Sequence, residues 1–110
     1  MDRNEKKSTL LAELNLVGAT AAMSVGLLAY TIKDSPNTVE ALIQELRVEG
    51  HIILDNARGY WLCKSQAEYE KWRDVIGLPR AKAYIAALSG MANSAKAQWE
   101  KNTNESRIGQ

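Results

Sequence analysis

The chain has 110 residues, 45% apolar and 25% charged, with a net charge of +1, which describes a folded globule and excludes a largely disordered chain. One cysteine and one histidine exclude an internal disulfide framework and a structural zinc site within a single chain, so a reducing, cytoplasmic setting is expected. A core this small often gains stability from a partner subunit.

In chain order, Leu10, Leu11 and Leu14 give a first helix, over about 5–16, its apolar stripe. The run from Leu14 to Ile32 carries no charge and follows Arg3, Lys6 and Lys7, so its length matches a membrane span. Asn15, Gly18, Thr20, Ser24, Gly26 and Thr31 dilute it, however, and no membrane partner is expected. The run is read instead as the end of helix 1, a loop around Val17 to Ala22, and a second helix over 24–33. Ser35 caps a third helix over 36–48, with Pro36 in the first position, where a missing N–H is harmless. Apolar positions 28, 32, 39, 43 and 46 let helices 2 and 3 share one core.

Ile52-Ile53-Leu54 and Tyr60-Trp61-Leu62 read as strands around the turn-forming segment Asp55 to Gly59, giving a hairpin over 51–63. A lone hairpin is marginal in water, so Ile53, Tyr60 and Leu62 are expected to face the helices. Tyr60 and Trp61 point to opposite faces, one into the core and the other beneath the C-terminal helices. Ser65-Gln66-Ala67-Glu68 then has the form of a capping box, opening a helix with Tyr69, Trp72 and Ile76. Gly77 is expected to end it. Leu78-Pro79 turns the chain into a long helix from about Arg80 to Lys101, and residues 102–110 form a flexible tail. Tyr84, Leu88, Met91, Ala95 and Trp99 make a narrow apolar seam on that helix. Either the helix folds back on helices 1 and 4, or it pairs with its twin, since alanines at 81, 92 and 95 allow close approach; a homodimer is the favoured reading.

Leu46-Arg47-Val48-Glu49-Gly50-His51-Ile52-Ile53, followed by Asp55-Asn56-Ala57-Arg58-Gly59-Tyr60-Trp61-Leu62, resembles a winged helix-turn-helix. It is similar to the N-terminal domain of biotin repressors and of small bacterial and prophage regulators, over roughly residues 24–62. The resemblance implies three helices and a two-stranded wing within 1–64; with the two helices read above over 65–101, a C-terminal helical hairpin that packs on it or dimerises, the expected fold is α+β and mostly helical. The resemblance also implies sequence-specific binding of double-stranded DNA by a small transcriptional regulator, with helix 3 in the major groove and the wing on the flank. Asn37, Thr38, Glu40, Ala41 and Gln44 would then read base edges. Lys33, Arg58 and Lys64, with Lys6 and Lys7, would hold phosphates.

The charges oppose this, because helix 3 carries Glu40, Glu45 and Glu49 against Arg47, itself a favourable cation for the helix C-terminus. Two rivals stand beside the regulator: a winged-helix module that binds protein rather than DNA, and a phage-type replication or recombination accessory. His51 and Cys63 flank the hairpin but lack a third orienting group. No enzyme activity, catalytic residue, metal, cofactor or small-molecule ligand is expected.

Overall fold

The computed structural model describes residues 1–100. The expected flexible tail lies outside them, as does the Lys101 end of the last helix. The chain divides into two compact units, Met1–Glu70 and a second from Lys71 onward. The boundary falls six residues beyond the expected one, inside the fourth helix, whose start is capped by the residues just after the hairpin. The Lys64 amide donates to the Glu68 carboxylate at 2.9 Å, and Ser65 Oγ accepts from the Glu68 amide at 3.1 Å.

In the first unit, helix α1 spans Arg3–Asn15, α2 Val25–Ile32 and α3 Pro36–Val48. Each begins on a side-chain cap. Asp2 accepts from the Glu5 amide at 2.8 Å, Ser24 from Leu27 at 3.2 Å and Ser35 from Thr38 at 3.2 Å, satisfying amides with no partner inside the helix. The inward residues follow helical spacing: Leu10 and Leu14 on α1, Leu28, Ala29 and Ile32 on α2, and Val39, Leu42, Ile43 and Leu46 on α3. Together with Ile53 they form one cluster.

The turn from α2 to α3 is three residues long. Lys33 takes the left-handed conformation (φ 56°, ψ 48°), and the Asp34 amide reaches back to the Ala29 carbonyl at 3.0 Å, closing the end of α2. The uncharged run from Leu14 to Ile32 is broken by a short 3₁₀ turn at Ala19–Ala21, and no helix among the described residues is long and apolar enough to cross a membrane.

Strands β1 (Ile53–Asn56) and β2 (Gly59–Leu62) pair antiparallel, with Ile53 opposite Leu62 and Leu54 opposite Trp61. Ile53 joins the helical core while Tyr60 and Leu62 pack against it, as the alternation predicts. The reverse face is also covered, with Leu54 1% and Trp61 4% exposed. A third short strand segment was not anticipated. Met23, just before α2, exchanges two backbone hydrogen bonds with Tyr60, at 2.9 and 2.8 Å, so β2 has a partner on both edges. The order is therefore α1, the Met23 bridge, α2, α3, β1, β2.

Helix α4 spans Gln66–Trp72 and α5 spans Leu78–Ala95. Gly77 does not end a helix and Leu78-Pro79 does not reverse the chain, so the expected helical hairpin is corrected. The backbone stays right-handed helical at Gly77 (φ −64°, ψ −56°) and Leu78 (φ −65°, ψ −45°), through a π turn over Arg73–Gly77. Pro79 supplies no amide for the carbonyl one turn back, and the wider turn just ahead of it accommodates that gap. Gly77 is required for space: an added Cβ would stand 2.8 Å from the Trp72 ring.

Candidate nucleic-acid interface

Burying Val39, Leu42, Ile43 and Leu46 turns the opposite side of α3 outward. Asn37, Glu40, Ala41 and Gln44 are all exposed on it, at steps of three, one and three that keep them on one stripe. Thr38 is half-buried, its hydroxyl 3.0 Å from Ser35 Oγ, so it serves the cap of the helix. Of the five residues expected to read bases, the structure presents four together.

The hairpin turn is held by more than its strands. Asn56 Oδ1 accepts from the amides of Arg58 and Gly59, at 2.8 and 3.3 Å, while Asn56 Nδ2 donates to the Ala19 carbonyl at 3.0 Å. Arg58 Nη1 donates to the Thr20 carbonyl at 2.8 Å. The 3₁₀ turn between α1 and α2 therefore fixes the wing, which brings Arg58 to the same cleft as Glu40. That cleft, about 240 Å³, is bounded by Ser24, Glu40, Asn56, Arg58 and Tyr60. Of the outward stripe on α3, Glu40 lines this cleft together with Arg58, whereas Asn37, Ala41 and Gln44 lie outside it.

The other cations expected to hold phosphates lie elsewhere. Lys33 is exposed at the α2–α3 turn beside a separate open concavity with Tyr30 and Asp34. Lys64 Nζ donates to the Asn15 carbonyl at 2.8 Å, closing the C-terminal end of α1. Lys6 pairs with Asp34 at 2.8 Å, and Lys7 pairs with Glu49. Arg3 holds Glu45 through two hydrogen bonds, 3.1 and 2.5 Å long. Glu45 on α3 and Glu49 at its C-cap are thus paired with α1, which removes part of the repulsion they would exert on DNA and also occupies the α1 cations.

Arg47 acts structurally. Its Nε donates to the Ile53 carbonyl at 2.8 Å, its Nη2 stands 3.3 Å from Asp55, and its guanidinium lies 5.9 Å from the Tyr60 ring centre. It ties the end of α3 to both strands. Spacing could show its place in the last turn, but not this set of partners.

Asp34 is held at about 2 by the Lys6 ammonium first, then by the Ser35 amide and the Thr38 side chain. Its folded value lies below its ordinary one, so the stabilisation is complete above about pH 4 and lost as pH falls through about 2. Asp34→Asn is therefore expected to lower Tm at pH 7 and to flatten the fall in Tm between pH 4 and 2. Thermal unfolding followed by circular dichroism at stepped pH tests this; identical pH profiles for the two proteins would refute it.

Cys63 lies opposite Ile52 rather than His51, its amide donating to the Ile52 carbonyl at 2.9 Å, and burial pushes its thiol above the ordinary range. Desolvation of this kind disfavours the thiolate that a nucleophilic role would need.

On α5, Tyr84, Leu88 and Met91 are 66%, 44% and 61% exposed and no residue of the helix is buried, while Trp99, in the π turn Lys96–Glu100 that follows it, is 63% exposed. No family model, curated protein or solved structure matches this chain.

Proposed function

We propose that the first unit is a winged helix that binds double-stranded DNA in a sequence-dependent way, as a small bacterial or prophage transcriptional regulator acting as a homodimer through the α5 seam. The observation that carries this is the outward, polar stripe Asn37-Glu40-Ala41-Gln44 on a helix whose other side is the core, next to a wing that carries Arg58. The element order supports it, with a bridging strand before α2 and a hairpin after α3. Amide side chains such as Asn37 and Gln44 suit adenine edges, and a carboxylate such as Glu40 suits the cytosine amino group.

Fluorescence-anisotropy titration of the full chain with duplex DNA tests the reading. Gln44→Ala is expected to change which sequences bind, by the roughly 1–3 kcal/mol that one base contact discriminates. Arg58→Ala is expected to weaken binding to all sequences alike, by about eightfold near 0.1 M salt if one phosphate contact is lost. Failure of the folded parent to bind any duplex at low salt would end the DNA reading.

One observation favours a second reading, a module whose α3 face meets a protein. Residues 1–70 hold seven Lys and Arg against ten Asp and Glu, a net of −3, and Arg3, Lys6, Lys7 and Arg47 are already ion-paired. DNA affinity at ordinary salt rests on unneutralised cations, which this unit holds sparingly.

A further inference from the structure

The charge missing from the first unit is present in the rest of the chain. Residues 71–110 carry seven Lys and Arg against three Asp and Glu, a net of +4. No acidic residue occurs between Asp74 and Glu100, whereas Arg80, Lys82 and Lys96 lie in that stretch. On a helix, residues 82, 89, 93 and 96 follow at steps of seven, four and three and so share one face. They are Lys82, Ser89, Asn93 and Lys96, all exposed and all carrying hydrogen-bond donors. The stripe runs about 21 Å, from fourteen residues at 1.5 Å each. Measured from its centre, it lies roughly 110–170° around the helix from Tyr84, Leu88, Met91 and Ala95, at about 100° per residue, so pairing through that apolar seam leaves it open.

We propose that this stripe is a second DNA-contact surface, in which Lys82, Ser89, Asn93 and Lys96 hold the phosphate backbone of duplex DNA without reading its sequence. The proposal rests on the DNA-binding reading and supplies the counter-charge that the first unit lacks. Lysine, serine and asparagine are residue types that contact phosphate oxygens. A lipid surface is the less suitable polyanion, because a helix lying in a membrane interface needs its basic residues beside a strong apolar face, and here small polar residues stand between the lysines.

The test uses the full chain carrying Lys82→Ala with Lys96→Ala, titrated against duplex DNA from 50 to 300 mM salt. Each phosphate contact contributes about 0.9 to the slope of log affinity against log salt, so the slope should become shallower by about 1.8. The same change corresponds to roughly 60-fold weaker binding near 0.1 M salt. Sequence preference should be unchanged, and Lys82→Arg with Lys96→Arg should retain the parental slope. An unchanged slope in the alanine variant, with the parent still bound, overturns the stripe and leaves the α3 reading standing. A parent that binds no duplex at 50 mM salt overturns both. Vesicles of phosphatidylserine and phosphatidylcholine form the last arm. Salt-sensitive vesicle binding that the alanine variant loses while its duplex binding is unaffected would overturn the assignment to DNA.

Discussion

Gly59→Ala is expected to be the most damaging single-methyl change in this protein, costing the first unit about 3–5 kcal/mol. Gly59 has φ +150°, a conformation that side-chain-bearing residues rarely adopt, and an added Cβ would lie 2.1 Å from the Met23 carbonyl oxygen. That contact cannot be relieved by rotating a side chain, because the obstacle is backbone already hydrogen-bonded to Tyr60. Strain of this kind costs roughly 1–3 kcal/mol, and parting Met23 from Tyr60 forfeits two hydrogen bonds worth about 1 kcal/mol each. Against a total stability of roughly 5–15 kcal/mol this is a large fraction, equivalent to a fall in Tm of roughly 12 °C or more. Gly26→Ala is the control of opposite sign. Gly26 lies in α2 with nothing near its Cβ position, so alanine there should stabilise by about 0.5–1 kcal/mol. Denaturant unfolding of both variants decides the matter: a Gly59→Ala protein within about 1 kcal/mol of the parent would contradict the role assigned to the Met23 bridge.

Leu88→Glu should have the largest functional effect. Leu88 is the central apolar residue of the α5 seam, flanked by Tyr84 and Met91, all exposed in the single chain. If two copies pair along that seam, a carboxylate at its centre is removed from water without a partner, which two-stranded packing does not tolerate. Light scattering is expected to show a dimer for the parent and a monomer for the variant, with the circular dichroism of the first unit retained. Two linked half-sites raise affinity by about 10²–10⁴ over one, so binding to a two-fold DNA site should fall by at least about 100-fold. A parent that is monomeric at micromolar concentration would remove the dimer from the proposal.

Much of the first unit was legible because its signals are local. Ser35 marks a helix start through a hydrogen bond that closes within three residues and Pro36 through its fixed φ, and the α3 boundaries follow directly. The inward face of α3 and the Ile53, Tyr60 and Leu62 side of the hairpin follow from periods of 3.6 and 2, which the chain geometry enforces. The C-terminal stretch was less legible. Gly77 and Pro79 are helix-ending residues by propensity, yet the backbone stays helical through the π turn, and the Trp72 ring lies where a Cβ on Gly77 would stand. Propensity describes one residue at a time, and a ring stacked against the backbone five residues on lies beyond it.

The candidate site divides along the same line. Its outward stripe on α3 was readable, since burial of one helix face implies exposure of the other. Nothing local indicated that Arg58 and Asn56 would bind the 3₁₀ turn at Ala19–Ala21, or that Arg3 and Lys7 would neutralise acids more than thirty residues away. By itself the sequence determined where α3 and α4 start, which faces of the first unit turn inward and where the charges sit along the chain, because capping, periodicity and composition act over a few residues. Tertiary structure alone decided which charges meet, which strand segment Tyr60 finds, and which cations are already engaged. Those contacts join parts of the chain far apart in number, and only the folded backbone sets their distances.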